Sequence, residues 1–297
     1  ENAHKKNPRL NAERENVKSV KENINISKSE FLPSISISGS VDNNDTTDKT
    51  DQNGNSLANT SLDKETKKIS IDQKIFQGFE GYNSLKKSKL EVEKAKFQLR
   101  DVEQTTILNA ASVYFDLIYN NKNKIFNLTN VDLFERQVEF DSARLQKGEI
   151  TLTDLAQSES SLAGAKAQLI AAENELLSTK LNFERIIRTK APDTVEEYFY
   201  LKINLPLSLV ESLEISKKNN PKLLIAKLDY EISKKNVNIE KAQLSPSASV
   251  NYSKTKNNDL SASVDEAENE SVKATITWPI INGGKNYSSL KKSKFKK

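Results

Sequence analysis

The chain has 297 residues, 36% of them apolar and 29% charged, and carries a net charge of +4. Even with its 8 glycines counted, the apolar share falls below the roughly 45–50% of ordinary globular chains. This speaks against one thick core and for an elongated helical protein that buries narrow stripes. The absence of cysteine and the single histidine, His4, leave no basis for disulfides, thiolate chemistry, zinc ligation or a Ser-His-Asp site. The charge is too small to indicate a nucleic-acid partner, and no apolar run reaches the roughly 18 residues of a membrane-spanning helix.

Taken in chain order, a helix is predicted over 9–30 and ends before Pro33. Strict alternation follows in Ser34-Ile35-Ser36-Ile37-Ser38, the period of a strand. A loop rich in Asn, Asp, Ser and Thr is expected over 42–65, and a returning strand over 68–76. From Tyr82 to Lys147 there is neither glycine nor proline, so one helix of roughly 100 Å is predicted at 1.5 Å per residue. Lys147-Gly148-Glu149 reads as its stop. Thr151 or Thr153 can cap the next helix, with Asp154 in the first turn, and that helix runs to about Arg188.

The returning helix has the clearest periodicity. Leu155, Leu162, Leu169, Leu176 and Phe183 lie seven apart, and Ser158, Ala165, Ala172, Thr179 and Ile186 follow them at a spacing of three. This is a heptad seam. The preceding helix has sevens at Leu85, Val92 and Leu99 and again at Val131, Val138 and Leu145. Residues 82–190 therefore read as a long antiparallel coiled-coil hairpin with its tip near Gly148, followed by a linker to 207.

The chain repeats itself. Asn7-Pro8-Arg9-Leu10 returns as Asn220-Pro221-Lys222-Leu223, Pro33-Ser34 as Pro246-Ser247, and Tyr82-Asn83-Ser84-Leu85-Lys86-Lys87-Ser88-Lys89 as Tyr287-Ser288-Ser289-Leu290-Lys291-Lys292-Ser293-Lys294. Two structural repeats are expected. Residues 1–207 hold a short helix, a β-hairpin over 33–77 and the long helical hairpin. Residues 208–297 hold a short helix over 209–244, a β-hairpin over 246–282 with a loop at 253–270, and the start of a second long helix. By this logic a second long hairpin is expected after Lys297 in the whole protein. The repeats differ at one turn: Gly78-Phe79 stands where the second copy has Gly283-Gly284. The missing glycine is expected to tilt that turn.

Four short strands are too few to close a barrel, and their open edges invite pairing. Two arrangements fit one apolar face and one Ser/Thr/Asn face: several chains pooling strands into a barrel wall between lipid and water, or a small sheet with one wet face. Trp278, beside Pro279, reads either as an interfacial anchor or as core.

The combined pattern resembles the TolC family of outer-membrane efflux and secretion factors. The matching pieces are the two Asn-Pro-x-Leu segments, Phe31-Leu32-Pro33-Ser34-Ile35-Ser36, Ile75-Phe76-Gln77-Gly78 with Ile280-Ile281-Asn282-Gly283-Gly284, Ala110-Ala111-Ser112-Val113-Tyr114-Phe115-Asp116-Leu117, and Arg144-x-x-x-Gly148-x-x-Thr151-x-x-Asp154-Leu155-Ala156-Gln157. Each is short, but they occur in the right order over nearly the whole chain.

The resemblance implies a mainly α fold with short β elements. In it a homotrimer forms a twelve-stranded outer-membrane barrel that continues as an α-helical tunnel in the periplasm. It implies a passive conduit whose helix tips meet a periplasmic adaptor and, through it, an inner-membrane pump. By position the tip is Arg144, Leu145, Lys147, Gly148, Glu149, Thr151 and Asp154; helix-stop and capping chemistry also accounts for Gly148, Thr151 and Asp154. Loops 42–65 and 253–270 are expected to face the exterior and Gly148 the periplasm. The family's narrowest constriction lies in the second hairpin, so no gate residue is assigned here. No cofactor, metal or catalytic residue is expected: no phosphate-binding glycine motif occurs, and the carboxylates fall on solvated helix faces. The competing reading is a coiled-coil scaffold or adaptor of the cell envelope without a pore, and the duplicated strands weigh against it.

Overall fold

The computed structural model describes residues 5, 7–192, 205–261 and 264–297. His4 and most of the expected linker over 191–207 lie outside the described residues. The elements are α1 (Pro8–Ser29), β1 (Ser34–Thr46), β2 (Thr60–Gln77), α2 (Glu80–Gln146), α3 (Leu152–Ile187), α4 (Leu209–Asn219), α5 (Pro221–Ala242), β3 (Ser247–Ser261), β4 (Val264–Thr277) and α6 (Lys285–Lys296). The order helix–strand–strand–helix thus occurs twice. The repeats divide the sequence, whereas compactness divides the chain in space: one unit gathers the residues up to Asn16 with Phe97–Lys222, the other Val17–Lys96 with Leu223–Lys297.

The repeated Asn-Pro is a helix start. Asn7 Oδ1 accepts from the backbone N–H of Arg9 at 2.9 Å and of Leu10 at 3.2 Å. Asn220 Oδ1 accepts from that of Lys222 at 3.0 Å. The proline then fills the first helical position, where no N–H is needed. This start also divides the stretch 209–244, expected as one helix. It is two helices, α4 and α5, because Asn220 takes an extended backbone (φ −71°, ψ 112°) ahead of Pro221.

In the first unit α2 and α3 form the helical hairpin. Its core is Val113, Leu117, Leu176, Phe183 and Ala191, flanked by Tyr114, Ile186 and Ile187. On α3 the small row of the seam, Ala165, Ala172 and Thr179, is buried together with Leu176 and Phe183. The seam on α2 is partly polar. Asn120 Nδ2 donates to Thr179 Oγ1 at 2.8 Å, and Ser158 Oγ donates to Asp141 Oδ2 at 2.6 Å. Both pairs are nearly withdrawn from solvent and sit symmetrically about the turn at 148–150, so they lock one register. A buried polar group left without its partner costs about 1–3 kcal/mol, and a slipped register strands several at once.

In the second unit the strands form one antiparallel sheet in the order β1-β2-β3-β4. The strands run farther than the alternation suggested: the loop expected over 42–65 is confined to 47–59, and the stretch expected as a loop over 253–270 is strand up to Ser261 and again from Val264. The outer ladder pairs polar residues: Asn43 with Asp63 at 2.7 Å, Ser61 with Asp45, Lys254 with Glu268 and Lys256 with Glu266. Cross-strand pairs of this kind hold a strand without apolar alternation.

The two strand-to-helix turns are alike. Gly78 and Phe79 have φ of +57° and +67°, and Gly283 and Gly284 +51° and +76°. The expected tilt is therefore absent. Phe79 takes the left-handed conformation in place of a glycine, at about 1–2 kcal/mol, and its ring meets Phe76 edge-on at 5.5 Å. Gly78 has no such freedom, because a Cβ there would lie 2.6 Å from Ser245 Cβ and 2.8 Å from the Ala242 carbonyl oxygen. Nothing lies within 4 Å of the Cβ position of Gly283. Gly78→Ala is expected to lower the unfolding temperature clearly more than Gly283→Ala, since both carry the φ strain and only the first carries the clash. Thermal melts of the two variants check this.

Candidate functional site

Two places bear the expected site residues: the tip of the helical hairpin and the sheet.

The tip is a helix stop followed at once by a helix start. The N–H of Glu149 donates to the Arg144 carbonyl at 3.0 Å and that of Gly148 to the Leu145 carbonyl at 2.9 Å. This pair of bonds ends a helix on a left-handed residue, and Gly148 has φ +76°. Thr151 then caps α3 in a reciprocal box. Its N–H donates to Asp154 Oδ2 at 2.8 Å, and the Asp154 N–H donates to Thr151 Oγ1 at 3.3 Å. Arg144 bridges the turn, its Nε 3.2 Å from Glu149 Oε2 and its guanidinium 5.6 Å from the Phe140 ring centre. The seven tip residues therefore meet at one turn, with Lys147, Gly148, Glu149 and Thr151 exposed and Leu145 half-buried.

Two further residues matter at the tip. Leu152 is 71% exposed; it lies off the heptad rows, which is the signal that marks it. Asp141 lies behind the turn and is 6% exposed. Hydrogen bonds from Ser158 and from Gln137, with Arg144 nearby, hold its carboxyl below the ordinary 3.8. Asp154 is lowered too, by the hydrogen bonds from Thr151.

The sheet separates two chemistries by register. One row across it is Ile35, Ile71, Tyr252 and Val272. The neighbouring row, on the opposite face, is Ser36, Ser70, Ser253 and Ser271. Ser36 and Ser70 share a hydrogen bond of 2.8 Å, and Ser253 and Ser271 one of 3.0 Å. The next polar row adds a bond from Asn251 Nδ2 to Asp72 Oδ1 at 2.6 Å. Exposure runs opposite to the usual order. On the polar face Ser253 and Asn257 are 9% and 7% exposed, while on the apolar face Ile37 and Ile276 are each 79% exposed. The contrast is sharpest between the inner strand β3 on the polar side and the isoleucines of β1 and β4 on the apolar side.

The apolar face covers four successive rows, from Phe76–Ala248–Ile276 to Ile37–Ile69, about 20 Å along the strands. The last of these rows already turns polar at Lys254, opposite Ile69, and above it come Lys256, Glu266 and Glu268, in ion pairs that include Lys254. Below it Trp278 is 62% exposed, so it is no core residue. Its indole N–H donates to the Leu244 carbonyl at 3.1 Å. Both outer strands, β1 and β4, have one edge unpaired within the sheet.

The helical hairpin has an unpartnered face as well. Tyr119, Phe126, Leu133 and Phe140 lie seven apart on α2, one position before the buried row, and are 69%, 64%, 58% and 60% exposed.

Residues 1–187 match the profile of a family described as outer membrane efflux protein. Over 293 residues the chain is 25% identical to outer membrane efflux protein BepC of Brucella suis biovar 1, covering 98% of this chain and 62% of that protein. Over 241 residues it is 22% identical to outer membrane protein TolC of Vibrio cholerae, covering 76% and 53%. The chain thus spans less than two thirds of the length of these relatives. Among solved structures, the Campylobacter jejuni CmeC outer membrane channel superposes with a TM-score of 0.83 at 14% identity, covering 99% of this chain and 63% of that one. A structure of CusC gives 0.80 at 14% identity, covering 99% and 67%. At these identities the structures establish a shared fold.

The lowered carboxyls at the tip set a pH dependence. A group whose folded value is depressed contributes stability above its unfolded value, and this is lost as pH falls through the folded one. The hairpin is expected to keep full stability above about pH 5 and to lose it progressively below 3.8. Asp141→Asn should be less stable at neutral pH and show a flatter acid limb. Thermal melts between neutral pH and about pH 3 check both.

Proposed function

Because the chain belongs to the outer membrane efflux protein family, we propose that it builds the wall of an outer-membrane export channel, a passive conduit through the outer membrane and the periplasm. The observation that carries this is the two-faced sheet. One side is apolar and exposed, the other is lined with hydroxyls, amides and charges, and its edges are open. Lipid offers no hydrogen-bond partner to a strand edge, so a sheet in contact with it must close. Four strands cannot close alone; three copies supply twelve, and the edge of β4 then meets β1 of the next copy.

The exposed heptad row Tyr119, Phe126, Leu133 and Phe140 supports assembly of the helices in the same way. Each such side chain contributes roughly 1.5–3 kcal/mol when buried. In this reading the helices prolong the barrel as a tunnel in the periplasm. Arg144, Leu145, Lys147, Gly148, Glu149, Thr151 and Asp154, with Leu152 beside them, meet a periplasmic adaptor that links to an inner-membrane pump. Trp278 sits at the lipid–water boundary, where an amphipathic ring is favoured. Energy comes from the pump, and the conduit itself carries no catalytic residue.

Negative-stain microscopy of the full-length protein in detergent tests the proposal. Hollow tubes with a threefold axis and a detergent collar are expected, and soluble rods without either would overturn it. Phe126→Asp is expected to leave the helical circular-dichroism signal in place while shifting size-exclusion elution from trimer to monomer.

A further inference from the structure

We propose that the first turns of α2 and α6 bind the phosphate groups of anionic phospholipids at the periplasmic side of the membrane, Tyr82 with Lys86 and Tyr287 with Lys291 forming two equivalent headgroup sites. The inference rests on the channel-wall reading and adds a lipid preference to it.

The duplication carries the argument. Each β-hairpin is followed by a tyrosine in the first turn of the next helix and a lysine four residues on, and all four side chains are exposed. Residues four apart stack on one side of a helix. In the first copy that side continues the apolar face of the sheet. The ring of Phe76, on the last apolar row, meets that of Phe79 at 5.5 Å, and Tyr82 and Lys86 follow Phe79 at spacings of three and four. In the second copy Trp278 and Asn286 both donate to the end of α5, at the Leu244 and Gln243 carbonyls. The start of α6 therefore stands level with the indole.

Helical side chains lean toward the N-terminus of their helix, here the end next to the sheet. Lys86 does so, its Nζ lying over the Tyr82 ring at 4.3 Å from the centre. Its backbone is about 9 Å along the axis from Glu80, just past a headgroup layer of about 5–8 Å. The leaning stem carries the charge back to the phosphates, and the tyrosine stays at the boundary.

The charge at the first site has one sign. The hydrogen bond from Lys86, with Lys235 nearby, holds the Tyr82 hydroxyl below its ordinary value. The carboxylates around it are engaged elsewhere. Glu80 lies beside Glu30, Glu240 and Lys74 and accepts from Gln243. Glu22 accepts from Asn25, Glu91 pairs with Lys87, Glu231 with Lys234 and Asp229 with Lys94. Glu93 lies two turns farther from the sheet than Lys86, roughly 10 Å. Helix α6 contains no carboxylate at all. An anionic polymer of the cell wall would meet these lysines without the apolar row beside them; continuity with Phe76 and Phe79 favours a lipid.

Trp278, the one tryptophan of these residues, reports the lipid beside the second site. The full-length protein, with any tryptophan outside residues 1–297 replaced by phenylalanine, is reconstituted in phosphatidylcholine vesicles. A fixed share of brominated phosphatidylglycerol or of brominated phosphatidylcholine is added, and the quenching of the indole is compared. Phosphatidylglycerol is expected to be preferred about fivefold. Lys291→Gln is expected to remove the preference and Lys291→Arg to keep it. Lys147→Gln, which removes the same charge at the hairpin tip, is expected to leave it unchanged. Native mass spectrometry is expected to count fewer retained phosphatidylglycerol molecules in Lys86→Gln. Equal quenching by the two lipids, or a preference that Lys291→Gln leaves in place, overturns the headgroup sites and leaves the channel wall standing. A loss of binding to isolated cell-wall sacculi in the two Gln variants, with the lipid preference unmoved, overturns them in favour of the polymer. Quenching by neither lipid overturns the headgroup sites and the channel wall together.

Discussion

Backbone hydrogen bonding at the two outer strands constrains everything else in this chain. β1 pairs with β2, β2 with β3 and β3 with β4, and β1 and β4 each keep one edge unpaired within the sheet. In water such an edge is a liability; in lipid it is untenable. The side chains agree with the second setting. Ile35, Ile37, Val272 and Ile276 are turned outward with no layer over them, an arrangement that costs stability in water and suits hydrocarbon. The proposed closure by further copies would satisfy the edges and cover neither face, leaving one side for lipid and the other for solutes.

The two units solve the problem of a thin structure differently. The sheet relies on period-two alternation, and its register is pinned by polar pairs such as Asp72 with Asn251 and Thr66 with Asn257. The hairpin relies on a heptad seam that small residues on α3 allow to close tightly. Its polar pairs lie inside the seam, where a mismatch is costly. Surface ion pairs across the hairpin, Lys124 with Glu173 and Lys166 with Glu135, fit the same register but are half-exposed and add little.

Much of this was legible in the sequence. The seam on α3, the stop at Gly148, the cap at Thr151 and the duplicated Asn-Pro each have a local cause that residue type reveals. What was hidden had causes that lie across the fold. The far halves of the strands read as loops because their alternation is polar on both sides, and only the partner strand shows that Lys256 and Glu266 belong to a ladder. Phe79 read as a misfit because its left-handed backbone is imposed by the turn that Gly78 begins. The middle of α2 lost its heptads to the eye because Thr106, Asn120, Asn127 and Asp141 occupy buried positions where apolar residues are sought. Asn120 and Asp141 find their partners across the hairpin, on Thr179 and Ser158 of α3, while Thr106 and Asn127 bond one turn back on α2 itself. Leu152 and the row from Tyr119 to Phe140 stood in view, but their exposure is a property of the folded hairpin.

The symmetry of the buried polar pairs about the turn has a consequence for descent. Asn120 and Thr179 are as far from the tip as each other, and so are Asp141 and Ser158. A deletion or insertion in one arm alone would slide every pair past its partner. A change of seven residues made in both arms at once would preserve them all. Hairpins of this kind can therefore lengthen or shorten over evolution only in matched pairs of two turns, roughly 10 Å at a step. The reach of such a protein across the space beneath its membrane would then vary in discrete increments.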